Sequence, residues 1–304
     1  MKRTRLWFQA ARPFSLTVSI MPPIIGGLIA AVENPALRLH FPHFVLALLG
    51  CVLAHAGSNM LSDCMDFRAH VDRQGTYGSS GLLTANLMQP AQLLRGAVVA
   101  YGIALLIAIY FVLVTPNGLA LLWLILLGAV LGIFYTFGPF AWKYHALGDI
   151  AVFISFGPAM SLGAYWVQTG RFAWPPVLYI LPLALLVDAI LHSNNLRDID
   201  NDKIAGIQTL PIVVGAKQGQ RIYALLVYGS YLLILVLIIF AGLAWWAAST
   251  FISIPLALRL GKKVKAQAEL PKPEFSRIDA ETAQLHSVFG LLFIAALLLD
   301  LWVG

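Results

Sequence analysis

Hydrophobic residues run through this chain in long unbroken stretches, and polar residues gather between them in short blocks. The stretches are continuous and lack the strict alternation of a transmembrane β-strand, so each reads as a helix. Crossing the hydrocarbon core takes roughly 20 apolar residues. Stretches of that order lie at about 14–33, 43–62, 94–115, 117–137, 147–167, 173–192, 221–241, 243–259 and 284–303. The pattern predicts an all-α integral membrane protein of about nine transmembrane helices, forming one domain over residues 1–304. The opening MKRTRLWFQAARP has no cleavable-signal pattern and reads as a lead over residues 1–13.

Composition supports this class. Hydrophobic residues make up 60% of the 304 residues and charged residues only 11%, against about 25% charged in soluble domains. The net charge of +6 does not mark a nucleic-acid surface, because the basic residues sit in clusters between apolar runs. With the N-terminus inside, Lys2, Arg3, Arg5 and Arg12 share the inner side with every other Lys and Arg except Arg38 and Arg171. That asymmetry predicts a cytoplasmic N-terminus and cytoplasmic loops at 63–93, 193–220 and 260–283, in a bacterial inner membrane. Cys51 and Cys64 have neither metal nor redox spacing, and no disulfide is expected.

The acids change the picture most. Of 14 Asp and Glu, six fall in two short stretches at the inner ends of spans. In SNMLSDCMDFRAHVD, residues 58–72, Asn59, Asp63 and Asp66 share one helix face. In NNLRDIDND, residues 194–202, Asn194, Asp198 and Asp202 do the same. Like charges at such spacing repel, and a shared divalent cation removes the penalty. Oxygen donors without a Cys or His set point to Mg²⁺ rather than zinc. Magnesium held by a few carboxylates keeps positions for phosphate oxygens. Arg68, Arg73, Lys143, Arg197 and Lys203 lie on the same side to meet a phosphate. Capping or solvation explains any single acid of this kind, but not two clusters at one end. The expectation is two acid-tipped helices facing each other across Mg²⁺ and a diphosphate.

These two stretches resemble the aspartate-rich motifs of the UbiA superfamily of intramembrane prenyltransferases. NNLRDIDNDKIAGIQTLPIVVG looks most like the menaquinone-type branch, which attaches a polyprenyl chain to 1,4-dihydroxy-2-naphthoate. YTFGPFAWKYHALGDIAVFISFGP, residues 135–158, and ARPFSLTVSIMPPIIGG near the N-terminus are similar to the same branch. Two positions depart from its pattern: Ser62 stands where an asparagine is usual, and Ile207 where a lysine is usual. Both departures leave the acids intact. The resemblance implies a helix bundle around a central cavity and transfer from a polyprenyl diphosphate to an aromatic acceptor, a naphthoate or another phenolic ring. Asp63 and Asp66 would hold one Mg²⁺, with Asn59 and Asp72, and Asp198 and Asp202 a second. Arg68, Lys143, Arg197, Asn195 and Lys203 would bind the diphosphate. Asp200 points to a different helix face and is left out.

Other polar groups lie within the spans, where ionisable residues are functional candidates. His55 shares the Asn59 face. Asp188 and His192 stand four apart, and one or the other is expected to contact the acceptor and take its hydroxyl proton; a purely stabilising Asp–His pair is the alternative. Tyr135, with Phe137, Phe140 and Trp142, is a candidate to face an allylic cation. GTYGSSGLL, residues 75–83, reads as a flexible loop, with a lid over the metals as the alternative. Residues 262–281 read as an exposed loop touching anionic lipid. The rival from another class, a cation-coupled transporter, would place its acids near the midplane on broken helices, not at helix ends.

Overall fold

The structure, a computed structural model, describes residues 3–303, with the side chain of Lys272 left out; Lys2 of the expected basic lead lies outside the described residues. The architecture is a helical bundle without a named strand among those residues. Its principal helices are α1 (Arg3–Ala10), α2 (Thr17–Val32), α3 (Phe41–Arg68), α4 (Pro90–Val114), α5 (Gly118–Ile133), α6 (Gly148–Thr169), α7 (Leu181–Ile204), α8 (Ala216–Phe240), α9 (Ile254–Lys265) and α10 (Ile278–Val303). Among the described residues, seven segments are long and apolar enough to cross a membrane.

The other two expected spans take shorter forms. α5 has 16 residues, about 24 Å at ~1.5 Å per residue, and ends in a turn at Phe134–Gly138. Residues 243–259 divide at a proline. Trp245–Ser253 wind as a 3-10 helix, and the α-helix begins at Ile254 with Pro255 in its first turn, where a missing N–H costs nothing.

Close approach of backbones holds the bundle together. A methyl group on Gly26 of α2 would run into the Ser161 carbonyl of α6, and one on Gly157 would meet Ala184 of α7. Small residues at such crossings let helices gain van der Waals contact where the solvent is itself apolar. α6 carries a π-turn at Ser155–Ala159 around Pro158, which breaks the regular ladder. One core joins α2, α6, α7, α8 and α10 through Ile25, Tyr165, Leu183, Tyr223 and Phe289. A second joins α1, α3, α4 and the stretch before α4 through Ala10, Met60, Leu93 and Leu82. A third, small core of Phe111, Leu121 and Val167 closes the end of the bundle opposite the acids. The outer faces of α4 and α5 expose Leu106, Leu113, Trp123 and Leu126, as a lipid-facing surface requires.

Gly26→Val is expected to lower the melting temperature in detergent, by an amount matching the 1–3 kcal/mol, roughly, of an overpacked contact.

Candidate functional site

The last turns of α3 present Asp63 and Asp66, each 2% exposed. Carboxylates buried to this degree need partners, and the partners come from distant sequence. Arg12, in left-handed backbone just before α2, donates its guanidinium to Asp63, while the Ser80 backbone N–H donates to the other Asp63 oxygen at 3.1 Å. The Lys143 ammonium pairs with Asp66. The Tyr144 hydroxyl donates to Asp66 Oδ1 at 2.6 Å, and the Ser62 hydroxyl to Oδ2 at 3.0 Å. Burial opposes the charge on Lys143, but Asp66 outweighs it and raises the lysine above its ordinary range. Beyond α3 the chain folds back, with the Val71 and Asp72 N–H groups donating to the Asp66 carbonyl. Burial and the Asp66 charge push the Asp72 carboxyl up to about 6.

The end of α7 is organised by Arg197. Its guanidinium donates to both Asp198 oxygens at 3.0 and 2.7 Å, to Asn194, and to Asp279 of α10 at 2.7 Å. Asp202 stands within electrostatic reach of Asp198 and Arg197 in its own motif and of Asp66 and Lys143 across the gap. The two acid-tipped ends therefore meet, as expected.

Residues 75–83 do not hang free. The Tyr77 ring lies 5.1 Å from the Arg197 guanidinium. A Cβ on Gly78, whose φ is +88°, would stand 3.2 Å from Asn194 Oδ1. The Ser80 N–H donates to Asp63, and Gln9 of α1 donates to the Ser80 carbonyl at 2.8 Å. This stretch is a strap across both motifs, not the flexible loop its Gly/Ser content suggests; positive-φ turns at Gly75, Gly78 and Gly81 use the glycines for shape.

Beneath the acids lies a cavity of about 540 Å³. Its polar mouth is formed by Arg12, Asn59, Ser62, Lys143, Asn194 and Asp279, and its far end by Phe111, Leu121 and Val167. His55 and Tyr135 line it; His55 bonds the Ser19 hydroxyl at 3.0 Å and meets Phe156 edge-on. The Asn59 amide donates to the Ala11 carbonyl and Ser15 hydroxyl, both at 3.2 Å.

Several expected residues sit elsewhere. Arg68 and Lys203 are exposed: two residues past Asp66 and one past Asp202, they stand about 200° and 100° around their helices. Asn195 is buried off the cavity, and Asn194 lines it instead. Asp188 and His192 do not pair and do not line the cavity. The His192 ring bonds Asp149 Oδ1 at 2.8 Å and the Gly219 carbonyl at 2.9 Å, because α6 and α8 close on that face of α7. Phe137 and Phe140 are exposed, Phe140 stacking on Trp142.

Arg12, Tyr144, Asn194 and Asp279 were not among the expected site residues. Tyr144 follows Lys143 directly, and Asn194 shares the spacing of Asp198 and Asp202. Arg12 lies in the N-terminal stretch that resembles the family but has no acid near it in sequence, and Asp279 carries no local signal; tertiary folding brings both in.

Among the described residues no three His, Cys, Asp or Glu side chains converge closely enough to cage a metal alone. The donors are nonetheless all hard oxygens, arranged in small groups. That fits Mg²⁺, which binds through one or two carboxylates together with substrate phosphates rather than in an all-protein cage.

The UbiA prenyltransferase family model matches residues 20–278. UbiA prenyltransferase domain-containing protein 1 of Xenopus tropicalis is 32% identical, over 95% of this chain and 81% of that protein. The 1,4-dihydroxy-2-naphthoate octaprenyltransferase of Bacillus subtilis is 30% identical, over 97% and 92%. Among solved structures, a UbiA homolog from Aeropyrum pernix aligns with a TM-score of 0.69 at 14% identity, over 92% of this chain and 97% of that one. A UbiA homolog from Archaeoglobus fulgidus bound to GPP and Mg²⁺ aligns at 0.62 and 13%, over 95% and 99%.

Arg12→Ala strands the Asp63 carboxylate in a buried position and is expected to destabilise the protein by about 3–5 kcal/mol. Adding Asp63→Asn should recover part of that loss, and a double-mutant cycle of melting temperatures measures the coupling.

Proposed function

This chain belongs to the UbiA prenyltransferase family, and from that premise we propose that it transfers a polyprenyl group from polyprenyl diphosphate to 1,4-dihydroxy-2-naphthoate, working from the cytoplasmic side of a bacterial inner membrane. The observation that carries the reading is the meeting of two buried acid motifs over an apolar cavity, with Arg12, Lys143 and Arg197 between them. Such a site suits a molecule with a polyanionic head and a hydrocarbon tail. The dihydroxynaphthoate acceptor is supported by the Bacillus relative, which matches along nearly its whole length. Donor and metal are supported by the archaeal homolog bound to GPP and Mg²⁺. The basic inner loops support the orientation. A family of prenyltransferases and acids at helix ends leave the transporter reading without support.

The carboxylates of Asp63, Asp66, Asp72, Asp198 and Asp202 would hold Mg²⁺, whose Lewis acidity neutralises charge on the departing diphosphate. Arg12, Lys143 and Arg197 would trade their carboxylate partners for phosphate oxygens, forming charge-assisted bonds of the same kind. The number of ion pairs is conserved in that exchange, so binding avoids stripping water from isolated charges. Tyr144 keeps Asp66 oriented. The strap at 75–83 crosses the mouth, bonding Asp63 and covering the Arg197 guanidinium with the Tyr77 ring. Rings on the cavity wall, Tyr135 and Phe156, offer their faces to positive charge developing on the allylic carbon. The allylic C–O bond breaks with its electron pair leaving on the diphosphate, the electron-rich acceptor carbon bonds to the allylic carbon, and the ring regains its aromaticity by losing what that carbon carried, a proton to the diphosphate or solvent or, at the carboxylate-bearing carbon, CO₂.

Purified membranes with radiolabelled polyprenyl diphosphate and dihydroxynaphthoate are expected to form product with Mg²⁺ and none with EDTA. Asp63→Asn and Asp198→Asn should each cut kcat by about 10³, matching several kcal/mol of lost charge stabilisation. Diphosphate release without naphthoate product assigns a different phenolic acceptor. No release from wild type with any acceptor overturns the reading.

A further inference from the structure

The cavity has a built end. Phe111 of α4, Leu121 of α5 and Val167 of α6 line it and are each less than 9% exposed. They close it at the face of the bundle opposite the acids. Phe111 is braced from behind: the His43 ring meets it edge-on at 5.5 Å, and His43 bonds the Tyr110 hydroxyl at 3.1 Å. Above this floor small residues, Gly50, Ala108 and Gly128, open the walls between larger ones such as Ile107, Leu124 and Ile125. Small residues leave room for a chain, while the aromatic and branched floor leaves none.

Resting on the prenyltransferase reading, we propose that Phe111, Leu121 and Val167 form a length stop for the isoprenoid tail of the donor. Along α3, the rise from Ala47 beside the floor to Ser62 at the mouth is about 22 Å at ~1.5 Å per residue. A residue's three backbone bonds extend about 3.5 Å, so the four chain carbons of an isoprene unit extend about 4–5 Å. The cavity therefore takes about four to five units between reaction centre and floor. Gly128 lies about 10 Å above Leu121 on the same helix scale, and a Cβ there meets nothing within 4 Å. A larger side chain at Gly128 fills the cavity about halfway down without striking a neighbour at its first carbon. The cavity wall also shows Leu105 and Ala129 to the lipid face, so a tail that left sideways there would never reach the floor.

The test compares wild type, Gly128→Leu, Phe111→Ala and the lipid-facing control Gly102→Leu on all-trans donors of increasing length. Two readouts are taken: thermal stabilisation by each prenyl diphosphate, and kcat/KM for diphosphate release. In wild type, stabilisation should rise with tail length to about four or five units and then fall or level off. In Gly128→Leu the rise should stop near two or three units, and the geranylgeranyl-to-geranyl ratio of kcat/KM should drop at least about tenfold, the factor set by unburying even two methylenes. In Phe111→Ala the optimum should move to longer tails, and Gly102→Leu should match wild type. Length profiles identical in wild type, Gly128→Leu and Phe111→Ala overturn the length stop and assign the sideways exit. Length-dependent stabilisation that follows the variants while no donor is turned over upholds the stop and overturns the prenyltransfer reading instead.

Discussion

Burying carboxylates at the ends of apolar helices is the constraint on which the rest of this structure depends. Asp63 and Asp66 are almost wholly inaccessible, and an unpaired ion in that setting would cost several kcal/mol. Each of these two acids is answered by a cation delivered from another part of the chain, Arg12 from the lead into α2 and Lys143 from the segment between α5 and α6, while Asp198 is answered by its neighbour Arg197. The order of the N-terminal lead, the strap and the segment around Ala141–Tyr144 follows from that need. Pairs of this kind contribute little net stability compared with apolar packing. Their persistence in a chain with so few charges therefore argues for a role in handling an ionic ligand.

The compensation is also exchangeable. Lysine and arginine bind phosphate oxygens as readily as carboxylates, and carboxylates bind hard cations. A magnesium diphosphate can enter by swapping partners, and the bundle never has to expose a bare charge. The strap lies where this exchange would occur, touching Asp63 through Ser80 and Arg197 through Tyr77. It reports on both motifs because it contacts both.

Period and charge made much of this legible in sequence. Continuous apolar runs gave the helices, and the spacing of Asp63 with Asp66 and of Asp198 with Asp202 gave the acid faces and their meeting. What stayed hidden was tertiary. His192 pairs with Asp149 because α6 packs there, and no spacing along α7 could reveal it. Arg68 and Lys203 look suitable by proximity in sequence, yet helical rotation turns both to the outside. Glycine-rich composition at 75–83 suggested freedom, whereas the glycines supply left-handed turns for a fixed path. The shorter forms of α5 and of residues 245–265 depend on where turns and a proline interrupt hydrophobic runs, a detail that hydropathy averages away.

The two departures from the family pattern show how one position can change while the site's framework stands. Ser62 keeps a hydrogen bond to Asp66 and lies 3.5 Å from the Lys143 ammonium, so a hydroxyl serves in the polar network where an amide is usual. Ile207 is buried, and its N–H donates to the Asp202 carbonyl at 2.9 Å, next to Gly206 in left-handed backbone. The following N–H, from Gln208, donates to the Tyr144 carbonyl at 3.1 Å. The turn after α7 is thus tied by its backbone to the segment that carries Lys143 and Tyr144. A lysine lost at 207 removes a charge from that turn but not the link, because the link is made of peptide groups. Lys143, already held against Asp66 by the same segment, keeps a cation at the mouth of the cavity.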